Sequence, residues 1–284
     1  MEIKKSAQYV GEMSEAEVQR LLTLASIGAP HVRTSCLRMG IDQGAKALDV
    51  GCGALGALNI LAEIVGPSGV VVGIDKSPEA IAAARNVLDT IGLGYVQVRL
   101  ADANEVGPSD LCPPGPFDAA YVRFFLIHQA EPAATLRKVA LLVRPGGAII
   151  VHEPFRSVFL SADNPIGPLL ARALEMIAEV IGAAGGSPDV ADRMLGIARE
   201  AGLEYAYQYA FCNFTSGTAH ANLVAASLRA AKKAILALQL HSEAEVDEAA
   251  AALDVAAQSD LGMMLGLPVI AAELRVPETP ASSA

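Results

Sequence analysis

The stretch Ala47-Leu-Asp-Val-Gly-Cys-Gly-Ala-Leu-Gly56 decides how the rest of this 284-residue chain is read. Ala47 to Val50 predict a short buried strand, Gly51 and Gly53 a sharp turn, and residues from about Leu55 to Val65 a helix. Strand, glycine turn and helix in that order make a nucleotide-binding arrangement. Glycine lets the backbone approach a ligand with no Cβ in the way. The following helix turns its free N–H groups and its partial positive charge toward that ligand. Gly51-Cys-Gly-Ala-Leu-Gly56 fits the dinucleotide pattern G-x-G-x-x-G, which alone is a weak signal.

Outward from this stretch the chain alternates strands and helices. Val70–Asp75 reads as strand two, apolar up to its acidic tip, and Ala80–Thr90 as the helix after it. Tyr95–Leu100 reads as strand three, Phe117–Val122 as strand four, Ala133–Leu142 as a helix and Ala148–His152 as strand five. Near-continuous apolar strands separated by helices imply a parallel sheet covered on both faces. Ligands of such sheets bind at the C-terminal ends of the strands, so the polar residues at the strand tips carry the chemistry.

The flanks are helical. Ser14 is a helix N-cap with Glu17 three residues on, a capping-box pattern. A second helix is expected to begin after Pro30 and run to Met39. Residues 156–200 read as a helical cover broken at Gly185-Gly186, with a stripe of Leu169, Leu170, Ala173, Leu174, Ile177 and Ile181. Leu203–Phe214 reads as strand six, Ala219–Leu240 and Glu243–Ser259 as two helices, and Val269–Val276 as the last strand.

Net charge is −10, which argues against a general binder of nucleic acid or of acidic membranes. Few aromatics and no Trp argue against base stacking as the main recognition mode. Mean hydropathy is +0.39, yet no charge-free apolar run approaches the roughly 18–20 residues that span a bilayer. The N-terminus leads into polar sequence rather than an apolar signal core, so a cytoplasmic protein is expected. Cys36, Cys52, Cys112 and Cys212 are widely spaced and suggest neither a disulfide framework nor a metal site. A homodimer is left open.

Asp49 separates the two ligand classes that use the glycine turn. A carboxylate two residues before Gly51 would repel a pyrophosphate and suits a ligand with a cationic end. With this residue the sequence resembles the class I S-adenosylmethionine-dependent methyltransferases, whose motif is roughly D/E-x-G-x-G-x-G. The third family glycine would fall at Leu55; Gly56 stands one place late. The segment Arg123-Phe-Phe-Leu-Ile-His128-Gln-Ala-Glu-Pro132 and the turn Leu142-Val-Arg-Pro-Gly-Gly147 also resemble that family. The resemblance is strong over about residues 44–153 and looser outside them.

The resemblance implies a Rossmann-like three-layer sandwich: a seven-stranded, mostly parallel sheet with an antiparallel last strand and a helical cover. Residues 1–43 would form an N-terminal helical lid, 44–155 the cofactor core, 156–200 the cover, and 201–284 the last strands with a helical insertion. S-adenosylmethionine would lie at Asp49, Gly51 and Gly53. Asp75 would accept both ribose hydroxyls, or else act as a turn residue before Pro78. Lys76 would lie along the adenine face, or be a solvated side chain. In this family an acidic residue after strand three meets the adenine amino group and the next N–H meets the ring, which carries over to Asp102 and Ala103, or else Asp102 is a loop aspartate. Tyr9 would reach the site mouth, or pack the terminus down. Arg123 would hold a carboxylate, or form an internal salt bridge. His128 has the pKa range of a general base, or packs beside the cofactor. Glu153 points toward the lid, where it would orient an acceptor hydroxyl or amine. The implied activity is methyl transfer to an oxygen, nitrogen or carbon of a small, partly apolar molecule. A nicotinamide oxidoreductase, and a methyltransferase-like fold that binds the cofactor without methyl transfer, are the alternatives.

Overall fold

Period-two alternation sends the side chains of each apolar strand to both faces of one sheet. The computed structural model describes residues 9–11, 13–111, 116–155, 166–258 and 264–278, and of residues 213, 214 and 264–267 the backbone alone. Its elements run α1 (Glu15–Arg38), β1 (Lys46–Val50), α2 (Leu58–Val65), β2 (Val70–Asp75), α3 (Pro78–Thr90), β3 (Gln97–Leu100) and β4 (Phe117–Arg123). After a short 3-10 turn, Leu126–His128, come α4 (Pro132–Leu142), β5 (Val143–Pro154), α5 (Gly167–Ala183) and α6 (Met194–Glu200). β6 (Glu204–Ser216), α7 (Gly217–Ala237), α8 (Glu243–Ala257) and β7 (Met264–Arg275) complete the chain.

The strands form one seven-stranded sheet in the order β3-β2-β1-β4-β5-β7-β6. β1 to β5 pair in parallel, and β7 runs antiparallel to both β5 and β6. This is the expected Rossmann-like sheet with an antiparallel last strand, which inserts between β5 and β6. Strand order reverses between β1 and β4, and at such a switch point ligands bind at the C-terminal ends of the strands. The glycine turn leaves β1 at that point.

One face of the sheet presents Leu48, Val50, Ile74, Val122 and Val151 to Leu136, Val139, Met194 and Ile197 of α4 and α6. The other presents Ala47, Val71, Tyr121 and Ile150 to Val32 and Cys36 of α1, Leu58 and Leu61 of α2, and Ile81 and Leu88 of α3. The C-terminal half of α1 is therefore part of the main core. Helices α5, α7 and α8 have a core of their own, with Leu170, Val180, Leu228, Ile235, Val246 and Leu253 fully buried. At about 1.5–3 kcal/mol for each large apolar side chain removed from water, burial in this cluster holds the three helices to one another. Among the described residues, no helix is long and apolar enough to cross a membrane.

The structure corrects several expected boundaries. α1 is a single helix with Pro30 inside it, where a break was expected. Proline removes one helical hydrogen bond, but Val32, Ser35 and Cys36 beyond it are buried against the sheet, and this packing holds the helix together. The Ser14 side chain accepts the Glu17 N–H at 3.2 Å, but the Glu17 carboxylate turns to Tyr9 and Arg20, so that capping box is half formed. The box at Ser242 and Glu245 is complete. α2 starts at Leu58, not Leu55, because the glycine turn extends through Gly56 at φ +56. The Arg144–Gly147 segment, expected as a turn, lies inside a longer β5. β6 and β7 run further as a two-stranded ribbon, with Ser216 paired to Met264.

Candidate cofactor and acceptor site

The sheet register brings the predicted tips together. Val50 lies beside Ile74 on one side and Val122 on the other, and Asp75 lies beside Leu100. The turns after β1, β2, β3 and β4 therefore lie side by side at the C-terminal edge of the sheet.

Gly51 (φ +68) and Gly53 (φ +54) take the left-handed conformation that L side chains rarely adopt. A Cβ on Gly51 would collide with the Phe125 ring, which covers that glycine's open side. The N–H groups of Gly51 and Cys52 both donate to the Ile74 carbonyl, at 2.8 and 3.0 Å, and tie the turn to β2.

Asp49 is 1% exposed. Its Oδ2 accepts the Ala57 N–H at 2.7 Å, so the carboxylate sits beneath the start of α2. Burial pushes its pKa up to about 7, against the opposing pull of the Ala57 N–H and the Arg123 guanidinium. Asp75 accepts the Gly53 N–H on Oδ2 at 3.0 Å and the Ser77 N–H on Oδ1 at 2.9 Å. Two backbone donors fix the plane of this carboxylate at the tip of β2; burial raises its pKa and the donors resist the rise. Lys76 follows as an exposed side chain. Asp102 is half-buried and accepts the Asn104 N–H (2.8 Å) and the Asn104 Nδ2 (3.1 Å), both on Oδ1. Ala103 is buried.

Arg123, at the tip of β4, donates to the Leu24 carbonyl of α1 and the Gly56 carbonyl of the glycine turn, both at 3.2 Å. Among the described residues the guanidinium makes no salt bridge; it joins α1 to the turn. A Cβ on Gly28 would lie 3.0 Å from Arg123 Nη1, so α1 passes close to the guanidinium there. Phe124 follows at φ +50, a strained conformation for a bulky residue. Its N–H donates to the His152 carbonyl at 3.0 Å.

His128 lies edge-on to Tyr9, with ring centroids 5.0 Å apart. Its Nδ1 is buried without a hydrogen-bond partner among the described residues. Burial, then the Arg20 and Lys76 cations, push its pKa down to about 4, so the ring is neutral at pH 7. The Tyr9 hydroxyl donates to Glu17, and burial raises its pKa strongly. Arg20 donates to both Glu17 oxygens at 2.7 Å, to the Tyr9 hydroxyl at 3.1 Å and to Ser227 Oγ of α7 at 3.2 Å. Tyr9 therefore both packs the terminus and faces His128.

Glu153 does not point toward the cover as expected. It is fully buried, and its Oε1 accepts the N–H groups of Phe125 (2.9 Å) and Leu126 (2.7 Å). Its Oε2 is buried without a partner among the described residues, and burial pushes the pKa up to about 8. The Phe125 and Leu126 N–H groups hold Glu153 against the turn after β4. The neighbouring His152 is buried on the other face, with Tyr121 and Ser35 hydroxyls 3.0 and 3.2 Å from its two ring nitrogens.

Sequence reasoning missed Glu17, Arg20, Ser227, Asn104 and Phe125. One signal was present for Glu17: it falls on the same helical stripe as Leu24, Gly28 and Val32, a carboxylate among buried positions.

The glycine turn, the three acidic tips and the turn after β4 all lie within the region shared with known proteins. A 131-residue stretch is 38% identical to a nocamycin O-methyltransferase of Saccharothrix syringae, covering 46% of this chain and 45% of that protein. A 141-residue stretch is 30% identical to a demethylmenaquinone methyltransferase of Bacillus cytotoxicus, covering 47% and 58%. The chain thus spans about half the length of these curated relatives. The crystal structure of the 4+2 cyclase SpnF superposes with a TM-score of 0.53 at 21% identity, over 88% of this chain and 82% of that one, and so shares the fold. Residues 41–183 match the methyltransferase domain family, and the chain belongs to it.

Proposed function

We propose that the chain is an S-adenosylmethionine-dependent methyltransferase acting on a small, partly apolar acceptor, with metabolism of small molecules in the cytoplasm as its setting. The observation that carries this reading is Asp75. Its carboxylate is held by the Gly53 and Ser77 N–H groups at the tip of β2, beside two left-handed glycines.

The residues present fit that cofactor. The glycine turn offers backbone without Cβ atoms, Asp75 offers carboxylate lone pairs to ribose hydroxyls, and Asp102 with the Ala103 N–H offers an acceptor and a donor to an adenine edge. When bound, the cofactor supplies a methyl group already activated on a sulfonium. Asp49 contributes from beneath the turn: it holds the Ala57 N–H and adds negative potential under the cationic end. Arg123 fixes the turn relative to α1 and also keeps Asp49 partly ionised.

On the acceptor side the neutral His128 presents a buried nitrogen with no partner among the described residues. Such a nitrogen can accept a hydrogen bond from a hydroxyl or amine and hold it in line. Its depressed pKa makes it a weak base, so proton removal through it suits an acidic acceptor. Tyr9, Arg20 and Ser227 close the mouth between α1 and α7 and exclude water. Glu153 orients the turn that carries Phe125 and His128.

The test is calorimetric titration with S-adenosylmethionine, S-adenosylhomocysteine and NAD, each alone, on the wild type and Asp75→Ala. We expect binding of the first two and not NAD. Asp75→Ala removes a charged acceptor and is expected to weaken binding by roughly 10- to 100-fold. NAD binding alone, or an unchanged affinity in the variant, would sink the reading. Binding of both sulfur nucleotides with no turnover over a broad acceptor screen would favour a cofactor-binding fold without methyl transfer.

A further inference from the structure

We propose that Asn104 is a positioning residue that selects which oxygen of Asp102 reads the base of the cofactor. This rests on the reading above, in which Asp102 meets the adenine amino group.

A carboxylate turns easily about its last torsion, which is broad and two-fold. An aspartate at a loop tip therefore presents either oxygen unless something distinguishes them. Asn104 does so. Its backbone N–H (2.8 Å) and its Nδ2 (3.1 Å) both donate to Asp102 Oδ1. Two donors on one oxygen hold the carboxylate plane and direct Oδ2 toward the ligand. The main chain supports the geometry: the N–H groups of Glu105 (3.0 Å) and Val106 (2.9 Å) donate to the Asp102 carbonyl and close the turn.

Asn104 is itself fixed from another element. Its Nδ2 also donates to Gln129 Oε1 at 3.1 Å, and its Oδ1 accepts the Thr135 hydroxyl at 2.7 Å. Both partners are buried, Gln129 at 7% and Thr135 at 2% exposure. The orientation of the amide follows from chemistry, because an ionised carboxylate only accepts and so must face the NH2 group. The carbonyl is then left to accept from Thr135. Gln129 belongs in turn to a wider set of contacts: Ser187 Oγ, between α5 and α6, donates to the Gln129 carbonyl at 2.9 Å, and the Ser187 N–H donates to the Ile127 carbonyl at 2.8 Å. The loop that reads the base is thus fixed to the turn after β4, to the start of α4 and to the cover.

The test compares S-adenosylhomocysteine with S-inosylhomocysteine, which carries a carbonyl in place of the exocyclic amine. The readout is the ratio of the two dissociation constants, which general destabilisation does not move. Wild type is expected to prefer the adenine compound, and Asp102→Ala to reduce the preference to the part set by the Ala103 N–H, which meets an acceptor in adenine and an N–H in hypoxanthine. Asn104→Ala is expected to lower the ratio by roughly three- to tenfold, the size of one lost hydrogen bond, beside a lower melting temperature from the Thr135 and Gln129 side chains left without their partner. Asn104→Asp keeps the volume but turns the donor into a second carboxylate, and is expected to lower the ratio at least as far. A wild-type ratio in both Asn104 variants, with the preference reduced in Asp102→Ala, would overturn the proposal and leave the adenine reading standing. An unchanged ratio in Asp102→Ala would overturn both.

Discussion

Glu153→Gln should flatten the decline of stability with pH between about 6.5 and 8. Burial raises the Glu153 carboxyl from an ordinary 4.5 to about 8 in the folded protein. The folded state then keeps a proton that the unfolded chain gives up near pH 4.5, so this group favours folding at low pH. That contribution is lost as pH rises through 8. Linkage over pH 6.5–8 puts the loss from Glu153 at roughly 1.5 kcal/mol. Asp49, raised to about 7 by burial, adds a smaller decline in the same window. Below 6.5 the sign is mixed, because burial pushes His128 down to about 4 and His152 to about 3. The unfolded chain protonates these histidines first, so their contribution to stability rises with pH until about 6.5. The window above 6.5 is therefore the one to measure. Glutamine can accept the same two N–H groups from Phe125 and Leu126, and its amide replaces the protonated oxygen. Urea unfolding free energies at half-unit steps from pH 6 to 9 give the slope. We expect the variant to fall less steeply than wild type by about 1.5 kcal/mol over the window. Parallel curves would show that Glu153 is ionised when folded, and would refute the account of its burial.

Arg123→Met should lower stability by about 1–3 kcal/mol, because the Leu24 and Gly56 carbonyls lose a charged donor and Asp49 loses a nearby cation. Thermal melts with and without S-adenosylhomocysteine read both the loss and any weaker binding; an unchanged melt in both would show that the guanidinium does not join α1 to the turn. His128→Gln should lower kcat without shifting the rate–pH profile between pH 6 and 8, since the imidazole titrates near 4. A limb near pH 6.5 in wild type that disappears in the variant would show the ring to be solvated and basic.

The parts of the fold that were legible are those where one local rule decides. Apolar runs such as Val70–Ile74 form strands because both faces of the sheet are covered, and positive φ at Gly51 and Gly53 needs glycine. Pro30 was misleading because the rule that proline ends a helix concerns local geometry, and here Val32, Ser35 and Cys36 pack on the sheet beyond it. The Glu17–Arg20–Tyr9 cluster was hidden by a stronger local pattern, the capping box, and its partner Ser227 is 207 residues away from Arg20. The conformation of Phe124 left no trace in the sequence, since aromatic residues carry no preference for it.

A similar limit explains why the acids at the strand tips were located correctly but could not be assigned from position alone. Asp49, Asp75, Asp102 and Glu153 all stand at or just beyond the C-terminal ends of strands. What separates them is where the nearest N–H donors lie. Glu153 receives two on one oxygen from the turn behind it, and is fully enclosed. Asp49 receives one from the start of α2 and is enclosed as well. Burial outweighs these donors, and both side chains bind a proton more tightly than a solvated carboxylate does. Asp75 has one donor on each oxygen and Asp102 has both on Oδ1; neither is sealed off, so lone pairs remain for a ligand. Two of the acids are therefore enclosed in the protein, and two are only partly buried. The difference depends on peptide groups contributed by other segments, which neither the spacing of the acids nor their residue type specifies.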